Sequence, residues 1–444
     1  MRKILLMGAG RSSSSLIQYL EDHAVSENWT IRIGDADVKK AALRFSVAKS
    51  LSWFKLDAQD LALCRVEMEA SDLVISMLPA FMHPMIANLC LESGKHLITP
   101  SYVSDELTKM HETAVSKGLV FLNEMGLDPG IDHMSAMAII EDIRRRGGEI
   151  ESFESFTGGL VAPESDDNPW HYKISWNPRN IVMAGAGGSA KYLANGHYNY
   201  IPYHQLFGRT AVISIENYGE FEGYANRDSL KYRSVYGLND IPSLMRGTLR
   251  KAPFCQAWNV IVNLGLTDES FQIENANKLT WADLLFAFTG KANLPELKSY
   301  LREYYRAGEE VMQMLEWLGM FSEKKIAATD CTPALALQYL LEEKWLLGDD
   351  DKDMVVMYHR FIYRLENQKI EHTANLIDIG LDSVHTSMAR TVGLPVGIAA
   401  KLILNGDISQ RGVLLPVHKE IFLPVMNELT TLGIRFNETH RVME

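Results

Sequence analysis

The chain has 444 residues, 47% of them hydrophobic and 23% charged, which is enough for more than one core and predicts two or three domains. Its formal net charge of −12 excludes a general basic footprint and, with it, nucleic acid as a partner. Small anions remain admissible, since a few local arginines suffice to hold them.

Cys64, Cys90, Cys255 and Cys331 are widely scattered, so they read as reduced, buried thiols of a cytoplasmic protein, with no metal site. No apolar run approaches the ~18 residues of a membrane span, and no membrane is expected as a partner. The start, MRKILLMGAG, resembles a short targeting segment, but its apolar run ends in glycines after four residues, so it reads as a strand.

The first predicted strand opens KILLMGAGRSSSSLIQYLEDH and runs through a Gly-rich turn into a helix. The spacing Gly8-x-Gly10-x-x-Ser13 fits the dinucleotide-binding turn, with Ser13 in the third glycine position. Gly8 permits the tight turn, Gly10 admits a pyrophosphate against backbone, and the helix N-terminus offers N–H groups to its charge. TIRIGDAD is the second strand and ends at Asp35, which can accept hydrogen bonds from the adenosine ribose. Apolar runs at WFKLD, DLVISMLP, HLITPSY and LVFLNEMG complete six strands alternating with helices, the rhythm of a doubly wound parallel sheet.

Ligands of such sheets bind beyond the carboxyl ends of the strands. Those ends carry Asp57, Ser76, Ser101 with Tyr102, and Leu127 with Asp128. Asp57 reads equally as an adenine contact or a turn residue. Ser101 and Tyr102 lie where a substrate beside a nicotinamide would sit. In GLDPGIDHMSAM, Asp132 is expected to N-cap the following helix, which leaves Asp128 facing the ligand edge as the candidate catalytic group.

Beyond residue 150 the texture becomes α+β. GAGG at 185–188 reads as a loop, Arg227 lies in a turn-rich segment, and RGTLR places Arg246 and Arg250 on one helical face, as a solvated pair or as an anion site. Residues 255–345 are helical by pattern. KDMVVMYHRFIYRLENQKIEHTANLIDIG predicts a hairpin, and TSMARTVGLPVGIAAKLILNG begins a helix, loop and helix that would pack back on the first domain.

Taken together, GLDPGIDHMSAM, GGLVAPESDDNPWHYKISW, YANRDSLKY, MRGTLR and TVGLPVGIAAKLILNG resemble the glutamate-forming saccharopine dehydrogenases, or saccharopine reductases, over essentially the whole chain. The resemblance implies an α/β fold: a Rossmann-type sheet domain at 1–126, completed by 388–444. An α+β substrate domain at 127–250 and 346–387 would follow, with an all-helical insertion at 251–345. It implies interconversion of saccharopine with L-glutamate and 2-aminoadipate 6-semialdehyde by hydride transfer. Its substrate positions match Ser101, Tyr102, Asp128, Arg227, Gly247, Thr248 and Leu249, to which the residue chemistry adds Arg250 as a second carboxylate partner. Its cofactor positions match Gly8, Gly10, Arg11, Ser12, Ser13, Asp35, Asp57, Ser76, Leu127, Asp128 and Ser175.

Two departures matter. Thr157 stands where the family often has Cys. Asp35 stands where the NADP-using members end the second strand in Arg, so NAD is expected ahead of NADP. A related imine reductase of polyamine synthesis, similar to carboxynorspermidine dehydrogenase, is the alternative reading. The partner is a small-molecule substrate, and a homodimer is compatible with the sequence.

Overall fold

The computed structural model describes residues 1–42, 50–184 and 188–443. The chain forms two compact units, residues 1–149 with 376–437 and residues 150–375 with 438–444.

The first unit is built on a seven-stranded parallel sheet. Its strands β1 (Arg2–Met7), β2 (Trp29–Asp35), β3 (Leu51–Lys55), β4 (Leu73–Ser76), β5 (His96–Ile98) and β6 (Val120–Leu122) are the six read from sequence. A seventh, Gly412–Leu414, joins β6 in parallel, giving the order Gly412–Leu414, β6, β5, β4, β1, β2, β3. β1 and β4 are apolar through their buried stretches because helices cover both faces of such a sheet. Leu5, Met7, Val74, Leu97 and Phe121 pack with Cys64, Met68, Ile86 and Cys90 in one cluster. Each fully buried Leu- or Phe-sized side chain contributes about 1.5–3 kcal/mol. All four cysteines are free and buried.

The second unit carries a mixed sheet. Its path runs Thr210–Ile215, Gly219–Ala225, Ser243–Lys251, Glu149–Val161, Asp353–Leu365, Gln368–Ile379 and Phe436–Met443, with Ala190–Ala194 and His197–Ile201 paired beside it. The expected hairpin is the pair Asp353–Leu365 and Gln368–Ile379, turned by Glu366 and Asn367 at φ +49° and +65°, as a two-residue hairpin turn demands. Helices Phe254–Asn263, Trp281–Thr289, Leu294–Tyr304, Glu309–Leu318 and Pro333–Trp345 occupy the segment read as helical. Trp170, Phe254, Trp258 and Trp345 form an aromatic core, tied down where Trp170 Nε1 donates to Met314 O at 2.9 Å.

Several expectations change. Helix Ile131–Arg145, expected with the substrate domain, packs against helix Lys419–Thr431 and lies in the first unit. The final strand, expected to complete the dinucleotide domain, closes the second sheet instead. RGTLR is strand, not helix, because it pairs in parallel with Glu149–Val161 and antiparallel with Gly219–Ala225. Asp132 is not an N-cap: Gly130 holds that position, and Asp132 sits buried in the first turn. Helix Ser387–Asn405, 19 residues long, is apolar and long enough to cross a membrane, yet it is mostly buried, as a core helix of the first unit is.

Candidate active site

Strand order reverses between β1 and β4, and a doubly wound sheet binds its ligand at that crevice. Gly8, at the end of β1, has φ +94°, and a Cβ there would meet Met77 O at 3.0 Å, so only glycine lets the turn pass the end of β4. At Gly10 a Cβ would meet nothing within 4 Å, which leaves open approach to the backbone. Ser13 is buried, and its hydroxyl donates to Gly10 O at 2.7 Å, closing the turn before helix Ser14–Ala24. Arg11 and Ser12 lie on the same single turn. This shape fits a pyrophosphate.

Asp35 ends β2 as expected, but its carboxylate is engaged by backbone. It accepts the Ala9 N–H at 2.7 Å and the Asp37 N–H at 2.8 Å, stapling β2 to the Gly-rich turn. Asp57 is exposed and accepts the Gln59 N–H at 2.9 Å, so the turn role is the one observed.

The edge expected to face a substrate is assembled from the ends of β5 and β6. Tyr102 donates its hydroxyl to Asp128 at 2.7 Å, and both residues are partly exposed. Leu127 is 5% exposed beside them. The Gly126–Gly130 turn is tight enough that a Cβ on Gly130, at φ +148°, would collide with the Gly126 backbone. Asp132 accepts the Gly130 N–H at 2.6 Å, fixing the turn from within the helix.

Glu124 is the residue that sequence reading missed here. It is 1% exposed and held at φ +57°, rare for a residue with a side chain. One carboxylate oxygen accepts the Val103 N–H at 3.0 Å, and the other meets His133 Nε2 at 2.8 Å, while its own N–H donates to Ser101 O at 3.1 Å. Glu124 thus clasps the segment carrying Ser101 and Tyr102 to the turn carrying Asp128. The signal available was a lone Glu at a strand end inside LVFLNEMG. His83 was also missed: it is 1% exposed and contacts Ser76, Thr99 and Ser101.

In the second unit the register sets one polar sheet face. Thr157 pairs with Thr248 and Thr248 with Tyr224, while Ser155 pairs with Arg246 and Arg250 with Glu222. Directly paired residues point to one side of a sheet. Arg246 lies 4.2 Å over the Tyr232 ring and is buried, so the solvated-pair reading fails. Arg250 is 4% exposed. Its Nη1 donates to Leu249 O at 2.8 Å, its guanidinium lies 5.2 and 5.4 Å from the Tyr172 and Phe254 rings, and its Nε has no partner. Thr157 Oγ1, on the same face, also has none. Burial raises the pKa of the Glu222 carboxyl, which accepts the Cys255 N–H.

Gly247 and Leu249 point to the opposite side. Gly247 lies against the Phe156 ring and Leu249 is fully buried, so of the expected trio only Thr248 puts a side chain on the polar face. Arg227 is exposed at φ +50°. Ser175 is buried in the second unit, away from any strand end of the first sheet in sequence. Residues 185–187 of the GAGG segment lie outside the described residues. Where no metal site was expected, His372, Glu438 and His440 bring potential ligand atoms within 4.8 Å of one another; His372 Nε2 already bonds Glu438 at 2.9 Å.

The fold and this edge define a Rossmann-type nicotinamide oxidoreductase with a second, mixed-sheet unit. Two sequence models match the chain: the saccharopine dehydrogenase NADP binding domain over residues 4–122, and the saccharopine dehydrogenase C-terminal domain over residues 126–434. The chain belongs to the saccharopine dehydrogenase family. It is 32% identical over 454 residues to saccharopine dehydrogenase [NADP(+), L-glutamate-forming] of Schizosaccharomyces pombe, covering 99% of each chain. The solved apo structure of the L-Glu-forming saccharopine dehydrogenase from Saccharomyces cerevisiae matches with a TM-score of 0.88 and 31% identity, over 99% of this chain and 100% of that one. Mitochondrial alpha-aminoadipic semialdehyde synthase of Mus musculus is 32% identical over 98% of this chain, but the chain spans only 47% of that protein. These names point to NADP(H) where Asp35 had suggested NAD first.

Proposed function

We propose that the chain interconverts saccharopine with L-glutamate and 2-aminoadipate 6-semialdehyde, as part of lysine metabolism. The observation that carries this reading is Arg250, a guanidinium 4% exposed that no carboxylate of the described residues pairs with. A buried charge lacking a counter-ion costs several kcal/mol, and a substrate with three carboxylates supplies one. Arg246, on the same sheet face, and Arg227 are the further cations assigned to it. Thr157 and Thr248 offer hydroxyls beside Arg250, and Gly247 and Leu249 contribute backbone only. The Gly-rich turn, Ser76, Leu127 and Ser175 are assigned to the cofactor, and Ser101 and Tyr102 to the substrate.

The nicotinamide, when bound, accepts a hydride from the carbon bearing the secondary amine. That transfer needs an unprotonated nitrogen, and Asp128, held by the Tyr102 hydroxyl, is assigned to receive its proton. Asp128 passes that proton to solvent, water adds to the imine carbon, and the carboxylate takes the water proton. The carbon–nitrogen bond breaks as a proton returns to nitrogen, releasing glutamate and the aldehyde. Saccharopine, water and oxidised cofactor thus give glutamate, semialdehyde, reduced cofactor and one proton.

The relatives' names favour NADP(H). Asp35 still sets a negative charge near the ribose, and it is expected to weaken binding of a 2′-phosphate. The polyamine reading has no support among these relatives, and its pocket would call for acids where this sheet face carries arginines. The cytoplasmic reading rests on the four buried thiols, while the mammalian relative's name places that protein in mitochondria. Incubating the protein with saccharopine and NADP+ or NAD+, then with carboxynorspermidine, and following reduced-cofactor absorbance tests the reading. Reduction with carboxynorspermidine alone would overturn it.

A further inference from the structure

His83 lies at the start of helix His83–Ser93, in the loop leaving β4, and is 1% exposed. Its Nδ1 meets Ser76 Oγ at 3.0 Å, and its Nε2 meets Ser101 Oγ and Thr99 Oγ1, each at 2.9 Å. Ser76 and Thr99 are fully buried, whereas Ser101 is partly exposed. Ser76 ends β4, at the crevice where strand order reverses, and Ser101 follows β5, beside the Tyr102–Asp128 pair. One ring therefore spans the two strand ends assigned to cofactor and to substrate.

We infer that His83 is a positioning residue that links the Ser76 and Ser101 hydroxyls, so that cofactor and substrate contacts are set by one imidazole. The inference rests on the proposed function above. Burial pushes the imidazole pKa down to about 4, so the ring is neutral near pH 7 and carries one N–H and one lone pair. If Nδ1 carries the proton, it donates to Ser76 and Nε2 accepts from Ser101 or Thr99. If Nε2 carries it, Ser76 must donate inward and its own proton is no longer available to a ligand. Whichever tautomer holds, the direction of the Ser76 hydrogen bond fixes whether Nε2 donates to or accepts from the Ser101 and Thr99 hydroxyls. A phenyl or methyl group in place of the ring would fill the space and lose this link.

Two substitutions separate the halves. His83→Asn places an amide near the Nδ1 position and keeps a partner for Ser76 while losing the one for Ser101. His83→Gln reaches the Nε2 position and does the reverse. Losing one such hydrogen bond of ~1–1.5 kcal/mol corresponds to about a 5- to 10-fold effect. His83→Asn should raise the saccharopine KM by that factor with NADPH Kd changed less than about 2-fold, and His83→Gln should raise the NADPH Kd with KM little changed. General destabilisation would move both constants together in both variants, and that result, or no change in either, overturns the inference. Ser76→Ala and Ser101→Ala serve as anchors. If Ser101→Ala leaves KM unaltered, the substrate assignment of Ser101 fails along with the inference; if it raises KM but His83→Asn does not, only the inference fails. Should the His83 variants not fold, the two serine variants and their double give a cycle on NADPH Kd, where strict additivity is the overturning result.

Discussion

Replacing Arg250 with Met should move stability and activity in opposite directions. Met keeps much of the aliphatic stem but removes the charged guanidinium that lies 5.2 and 5.4 Å from the Tyr172 and Phe254 rings. The losses to stability are one hydrogen bond to Leu249 O, about 1 kcal/mol net, and two ring contacts beyond 5 Å, less than about 1 kcal/mol together. Against them stands removal of a buried, unpaired guanidinium, whose desolvation costs several kcal/mol. The balance is a net gain of about 1–3 kcal/mol, hence a Tm higher by roughly 2–4 °C for each kcal/mol. Catalysis should collapse, because losing a charge-assisted contact to a buried carboxylate costs about 2–5 kcal/mol, or roughly 30- to several-thousand-fold in kcat/KM for saccharopine. Calorimetry and steady-state kinetics on the same preparation check both signs. A variant that melts several degrees lower with near-normal kinetics would show that Arg250 is a structural residue and would refute the reasoning.

Asp35→Asn should favour NADP(H) over NAD(H) relative to the parent, because it removes the charge near a 2′-phosphate; the ratio of the two Kd values checks this, and an unchanged ratio would place Asp35 away from the ribose. Glu124→Gln should lose about 1–3 kcal/mol of stability, since it sets a neutral amide between the Val103 N–H and His133, and kcat should fall with it; thermal unfolding with wild-type stability would remove the clasp. Asp128→Asn should lower kcat/KM at least ~10-fold, about 1.4 kcal/mol, with Tm nearly unchanged. Asp132→Ala should do the reverse, costing about 1–3 kcal/mol by stranding the buried Gly130 N–H, whereas Asp132→Asn keeps an acceptor there.

The first sheet was legible because its signals are local. Six apolar runs, a glycine turn and acidic strand ends each follow from neighbouring residues, and the strands fall where those runs lie. The ends of β5 and β6 could therefore be placed at a ligand edge before any distance was known. RGTLR was misjudged because two arginines four apart fit a helix face and a strand face alike, and only pairing with Glu149–Val161 and Gly219–Ala225 decides between them. Asp132 was misjudged because the N-cap pattern suited it, while Gly130 takes the backbone geometry that only glycine allows. His83 and Glu124 both act through Ser101, a partner distant in sequence from each, a proximity that arises only when β4, β5 and β6 lie side by side. The strand Gly412–Leu414 was likewise invisible because it is only 3 residues long, and Phe436–Met443 because none of its residues is buried to give an apolar pattern.

The most direct test of the central claim is the amount of L-glutamate released when the protein is incubated with saccharopine and oxidised nicotinamide cofactor. The account predicts one glutamate for each cofactor reduced, with the product lowered at least ~10-fold in Asp128→Asn at matched time. Cofactor reduction without glutamate, or glutamate in unequal amount, would contradict it.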